Sequence, residues 1–188
     1  MTDYFALLGQ PRQPWLDPDE LKQAFHTRSL ESHPDTQPTA AGAEFTQLNE
    51  AYQVLQEPKR RLHHLLTLEG AAPQAGANSI PPEIEALFPV VAELTQDANA
   101  LLPKIAAATN PLTRSLIKPQ LLQLQNRIGE ALAKLEELQQ DSTTRLQHLS
   151  TDWTATPEQL AELPPLYLRF SYLTRWTAEL RSQQLQLS

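Results

Sequence analysis

Apolar residues recur through most of this chain at intervals of three and four, the period of helices that bury one face. Residues 4–9, "YFALLG", read as a short apolar helix ended by Gly9. In "LDPDELKQAFHTRSLES", Asp17 suits an N-cap and Pro18 the first helical position, and Glu20 completes a D-x-x-E capping box, predicting a second helix from Pro18 to Ser32. Phe45, Leu48, Tyr52 and Leu55 then place four large groups on one side of a third helix, which Pro58 ends. A fourth follows in "KRRLHHLLTLEG", with Leu62, Leu65, Leu66 and Leu68 inward and Gly70 at its end.

The uncharged stretch "AAPQAGANSIPP", residues 71–82, breaks the periodicity and reads as a connector. Beyond it, Leu87, Val91, Leu94, Ala98, Leu101 and Leu102 keep helical spacing, with kinks or breaks expected at Pro89 and Pro103. Asn110-Pro111 is a cap and first-turn pair. From Leu121 the apolar positions run through Leu124, Ile128, Ala131, Leu135 and Leu138, the narrow seam of a long helix. Thr156 to Gln159 forms another capping box, and Leu163, Leu166, Phe170, Leu173, Trp176 and Leu180 line a last helix whose first turn Pro164-Pro165 is expected to divide off. No one of these stripes can be buried alone, so the region implies an antiparallel three-helix bundle. The expected organisation is all-α, with a helical domain at 1–70, a linker at 71–82 and the bundle at 83–188.

Composition narrows the function. With 15 Lys and Arg against 22 Asp and Glu, a formal charge of −7, the chain has no electrostatic basis for nucleic acid or an anionic membrane as a general partner. The absence of cysteine removes disulfides, thiolate metal sites and thiol nucleophiles. The first residues lack a signal-peptide pattern and no apolar run is long enough to span a bilayer, so a cytoplasmic bacterial protein is the expectation. The histidines, His26, His33, His63, His64 and His148, make no metal-ligand cluster. Glu136-Glu137 fits a solvated helix face, and neither a glycine-rich phosphate loop nor a nucleophile motif is present. No catalytic residue, cofactor or metal is expected.

One motif stands apart. Pro34 disfavours helix at His33, so the second helix stops there and leaves His33 and Asp35 at an exposed corner. Taken in order, "DYFALLG", "DELKQAF", "HPD" and "FTQLNEAYQVLQEPKRR" resemble a J-domain, the co-chaperone module of the DnaJ class. The whole chain resembles the HscB type, a J-domain joined to a three-helix C-terminal domain, and "YLRFSYLTRWTAELRSQ" resembles that type's last helix.

That resemblance implies a protein that docks on an ATP-bound chaperone of the DnaK or HscA class and triggers hydrolysis in the partner's own site. Docking is expected through His33, Pro34 and Asp35, with Lys22, His26 and Arg28 on the second helix; Asp35 supplies a carboxylate able to pair with an arginine. The bundle is expected to receive an iron–sulfur cluster scaffold protein through Leu87, Phe88, Val91, Leu94, Phe170 and Leu173, although those positions also suit the core. The chain departs from the family in its second helix. Asp17, Asp19, Glu20 and Glu31 outnumber Lys22 and Arg28, four acids against two bases for a sum of −2, where relatives are basic. This predicts slow docking with little salt dependence on a standard partner. Lys59, Arg60, Arg61, His63 and His64 offer substitute positive charge or simply a solvated helix face. The alternative function is a J-domain interaction or scaffolding protein with a different client, or one without ATPase stimulation.

Overall fold

The computed structural model describes residues 2–31, 41–71 and 80–188, the side chains of 41–43 excepted. Among these residues the secondary structure is entirely helical: α1 Tyr4–Leu7, α2 Pro18–Glu31, α3 Ala41–Gln56, α4 Pro58–Leu68, α5 Pro82–Glu85, α6 Leu87–Ala107, α7 Pro111–Thr151 and α8 Pro157–Gln186. The fold is all-α. It divides into two compact units, Met1–Ser79 with Thr143–Leu168, and Ile80–Ser142 with Arg169–Ser188.

In the first unit, local chemistry fixes the helix ends. Asp3 caps α1 by accepting from the Phe5 and Ala6 N–H groups, and Asp17 caps α2 by accepting from Asp19 and Glu20. Gly9 and Gly70 end α1 and α4 at φ of 64° and 70°, in the left-handed region that a side chain resists. Phe5, Leu8, Leu21, Leu48, Leu55, Leu62, Leu65 and Leu66 form its buried interior. Phe45 departs from expectation: it is 45% exposed although its spacing matches Leu48 and Leu55. The α7–α8 turn belongs to this unit. Its capping box is present, Gln159 N–H donating to Thr156 Oγ1 and the Gln159 side chain accepting from Thr156 N–H. Ser150 Oγ accepts from the Trp15 N–H at 2.9 Å, and Leu146, Leu163 and Leu166 are buried.

In the second unit, Val91, Leu94, Ala98 and Leu101 from α6, Leu124, Ile128 and Leu135 from α7, and Leu173, Trp176 and Leu180 from α8 make one core. Pairings set the directions. Arg127 reaches back to Asp97 and Glu93, and Gln125 meets Leu187 while Asp141 meets Arg169, so α7 runs antiparallel to both neighbours. Arg169, 4% exposed, bridges Glu83 at 3.3 Å and Asp141 at 2.9 Å, tying the α5 turn to α7 and α8.

Three prolines, at two places, behave otherwise than expected. Pro89 lies in the first turn of α6, where the N–H it lacks has no intrahelical acceptor, so it starts the helix instead of breaking it. Pro164-Pro165 lies inside α8, which continues unbroken from Pro157.

Candidate functional site

The resemblance placed docking on the hairpin of α2 and α3, so its scaffold comes first. Leu21 on α2 is 1% exposed, and Phe25 stacks on Tyr52 of α3 at 4.5 Å and 20°. Leu48, Ala51 and Leu55 turn the same side of α3 inward. These contacts hold α2 against α3 on both sides of the segment that carries the motif. His33, Pro34 and Asp35 themselves lie outside the described residues.

The described part of the site is the outer side of α2. Lys22, His26 and Arg28 are all exposed. Lys22 and His26 are one turn apart and share a face, whereas Arg28 lies well round the helix from Lys22. Arg28 pairs with Glu31 at 3.7 Å, and its Nη2 lies 3.5 Å from where a Cβ on Gly9 would sit. Half of the cationic charge on α2 is therefore opposed within its own helix, while Asp19 and Glu20 stand exposed beside Lys22.

The positive cluster on α4 does not form one solvated face. Arg61 is 4% exposed, its Nε donating to the Pro14 carbonyl at 2.8 Å and an Nη to that of Leu55. Burial pulls its pKa down to about 10, so it stays charged at neutral pH. His64 is buried too. Its Nε2 accepts from the Tyr4 N–H at 3.1 Å and its ring stacks on Tyr4 and Phe5, so the neutral imidazole is the bonded form. Burial lowers its pKa, against the pull of Asp3. Lys59, Arg60 and His63 remain at the surface, around a cavity of about 280 Å³ that Tyr4, Val54 and Tyr167 also line.

Of the six apolar residues expected to meet a client, four are interior. Val91, Leu94, Phe170 and Leu173 are at most 5% exposed, so they have no surface to offer a partner while the unit stays folded. The helical spacing that suggested them is the spacing of the core. Leu87 and Phe88 are only partly buried. Phe88 meets Tyr172 and Trp176 edge-on, with centroids 5.1 and 5.0 Å away, and Arg175 lies over the Tyr172 ring at 5.2 Å. Phe88, Ala92, Thr95, Gln96, Trp176 and Glu179 border an open cavity of about 510 Å³. Trp176 keeps the core position its spacing predicts, 3% exposed, while Tyr172, only partly buried beside it, is the aromatic of this face that the sequence did not single out. The signal was available: Tyr172 lies one turn before Trp176, which the apolar stripe of the last helix already included.

Among the described residues no group of three His, Asp or Glu is placed to hold a metal ion, and no helix is long and apolar enough to cross a membrane. Residues 3–64 match the DnaJ domain family. The N-terminal helices are a DnaJ domain. The co-chaperone protein HscB homolog of Cupriavidus taiwanensis is 38% identical over 84 residues, 41% of this chain and 48% of that protein. The mouse DnaJ homolog subfamily C member 4 is 39% identical over 80 residues, 42% of this chain and 32% of that one. The matched segment thus spans between a third and a half of these curated relatives. The whole chain, from end to end, shares its fold with the chaperone HscB from Vibrio cholerae, at a TM-score of 0.59 and 22% identity over 100% of both chains. A DnaJ domain followed by the helical C-terminal part of HscB is the class of protein that this chain resembles along its full length.

Proposed function

We propose that this chain is a co-chaperone of the HscB type: it docks on a DnaK/HscA-class chaperone ATPase through His33, Pro34 and Asp35, stimulates that partner's ATP hydrolysis, and delivers an iron–sulfur cluster scaffold protein. The supporting observation is the coincidence of a DnaJ domain at residues 3–64 with an HscB-like fold over the entire chain. In this reading the J-domain is 1–70, the linker 71–82 and the client-binding domain 83–188. Lys22 and His26, sharing one face of α2, extend the docking surface, and Arg28 flanks it. Leu87 and Phe88 contact the client from the first bundle helix. The chain performs no chemistry; hydrolysis occurs in the partner.

The test is ATP turnover by DnaK- and HscA-class chaperones with wild-type protein and with His33→Gln. Stimulation by the wild type that the variant lacks is the expected result; no stimulation, or equal stimulation by both, defeats the docking role. Direct binding of the scaffold protein, weakened by Phe88→Ser, tests the client.

The charge on α2 supports a second reading. With Asp19 and Glu20 exposed next to Lys22, and Arg28 facing Glu31, this helix offers little net positive charge to an acidic ATPase surface. A J-domain with a different partner or client, or without stimulation, fits that helix. Association that is slow and nearly independent of salt would favour it.

A further inference from the structure

We propose that the open end of the groove between α6 and α7 is a docking site for an acidic amphipathic helix of another protein, separate from the face that carries Phe88. The groove lies in the second unit, where α8 covers α6 and α7 as far as Gln125, whose side-chain amide donates to the Leu187 carbonyl at 2.8 Å. Past that bond α6 and α7 continue toward their connection, and the side chains that would face a third helix are only partly covered: Ile105, Ile117 and Leu121 pack against the core on one side and open outward on the other. They line a cavity of about 520 Å³. That volume takes a few side chains of a helix continuing the course of α8.

Charge selects the occupant. The chain as a whole carries −7, yet between Asp97 and Glu130 the sequence has no carboxylate. Within this stretch Arg114 and Lys118, one turn apart on α7, form the lip of the groove. Arg114 donates from Nε to the Ala108 carbonyl at 3.0 Å, which fixes its exposed guanidinium beside the opening. Leu122, one turn beyond Lys118, is 49% exposed and extends the apolar margin. An apolar floor with a basic lip matches a helix that carries leucine-type residues on one face and Asp or Glu along its edge. A lipid surface fits less well, because the concave floor has no use for a flat bilayer and two bases fall short of the roughly four to eight that anionic lipid binding recruits.

The test uses the full chain and a fluorescent synthetic helix with leucines on one face flanked by glutamates. A second peptide has lysines in place of the glutamates, and phosphatidylglycerol vesicles supply the lipid arm. The wild type is expected to bind the acidic peptide and not the basic one, with the Ile105 and Ile117 methyl NMR signals shifting on binding. The charge reversals Arg114→Glu and Lys118→Glu are expected to weaken binding about tenfold together. Lys118→Glu alone, which breaks no hydrogen bond of the fold, keeps the result separate from misfolding. Lys104→Glu, an exposed reversal outside this groove, should change little. The proposal is overturned if the acidic peptide binds no tighter than the basic one, if Lys104→Glu weakens binding as much as Lys118→Glu, or if the chain is retained by vesicles and not by peptide.

Discussion

The first unit and the second bury polar groups to different ends. In the first, Arg61 donates to two backbone carbonyls, Pro14 and Leu55, and His64 accepts from the Tyr4 backbone. Its buried polar side chains thus hold main chain, where an irregular segment such as 10–17 cannot satisfy itself. In the second unit, the buried cation Arg169 meets carboxylates, and the core from Ile84 to Leu187 is mostly apolar, with Ser142 and Gln183 the other buried polar side chains. The lesson is that the two units should fail in different ways. Removing volume damages the second, and removing a donor or acceptor damages the first.

The largest expected effect is in the apolar core. Ile128 is fully buried between three helices, and Ile128→Ala should cost about 2–5 kcal/mol through lost transfer energy and a residual cavity. Urea denaturation measures the loss, and hydrogen exchange should place it first in α6 and α7. A loss confined to the first unit would break the comparison. Next comes Arg61→Leu, which keeps the hydrophobic stem but leaves two buried carbonyls without a donor, a cost of about 1–3 kcal/mol. Here exchange should rise first in α1, α4 and residues 10–17. Arg61→Lys should recover only part of the stability, because one ammonium lacks the fork that spans both acceptors.

How far each unit was legible follows from the same contrast. Caps and seams are local, so Asp17, Thr156-Gln159, Gly9, Gly70 and the α7 stripe were all readable before any coordinates. Arg61 and His64 were not, since helical spacing reports which residues share a face and not how much of the circumference is covered. On α4, Arg61, Leu62, His64, Leu65 and Leu66 are buried together, over more than half of the circumference, while Arg60 and His63 stay exposed. The converse holds for the expected client residues: Val91 and Leu94 on α6 and Leu173 on α8 lie on apolar stripes, and only tertiary packing shows that these stripes face the interior. Pro164-Pro165 misled because a proline's cost is local, while α8 is held by contacts made well beyond it.

A smaller effect sharpens the picture of the first unit. His64 has its pKa depressed by burial, so the folded state prefers the neutral ring while the unfolded chain takes up a proton near 6.5. Stability is therefore intact above that value and falls as pH drops through it. The groups that face it include Asp3, which opposes the depression, and His63 and Arg12, which add to it. Asp3 itself is held below 3.8, where burial is outweighed by Arg12 and the Ala6 N–H, and so does not titrate in the same window. His64→Gln keeps an acceptor for Tyr4 and removes the titration. Thermal melts from pH 7 to about pH 5 should slope for the wild type and flatten for the variant, as the reference imidazole pKa requires. Equal slopes would remove His64 from the account.

The smallest effect separates a pair that looks strong from one that is. Arg127 reaches Asp97 at 2.6 Å and Glu93 at 2.7 Å, joining α7 to α6, and these bonds hold its charge firmly. By distance it surpasses the Arg169 bridge to Glu83 at 3.3 Å. Burial reverses the order. The Arg127 side chain is 36% exposed and that of Arg169 only 5%, so water and salt screen the first more than the second, whose carboxylates alone reach solvent. Arg127→Ala should therefore cost less than about 1 kcal/mol, and the difference from wild type should shrink in 1 M salt. Arg169→Ala removes a side chain that is only 5% exposed, emptying the space its stem fills, and should cost several times more even though Asp141 and Glu83, 56% and 40% exposed, regain water; that packing loss depends little on salt. Equal costs for the two, measured by urea midpoint at low and high salt, would mean that distance rather than burial governs the ion pairs of this bundle.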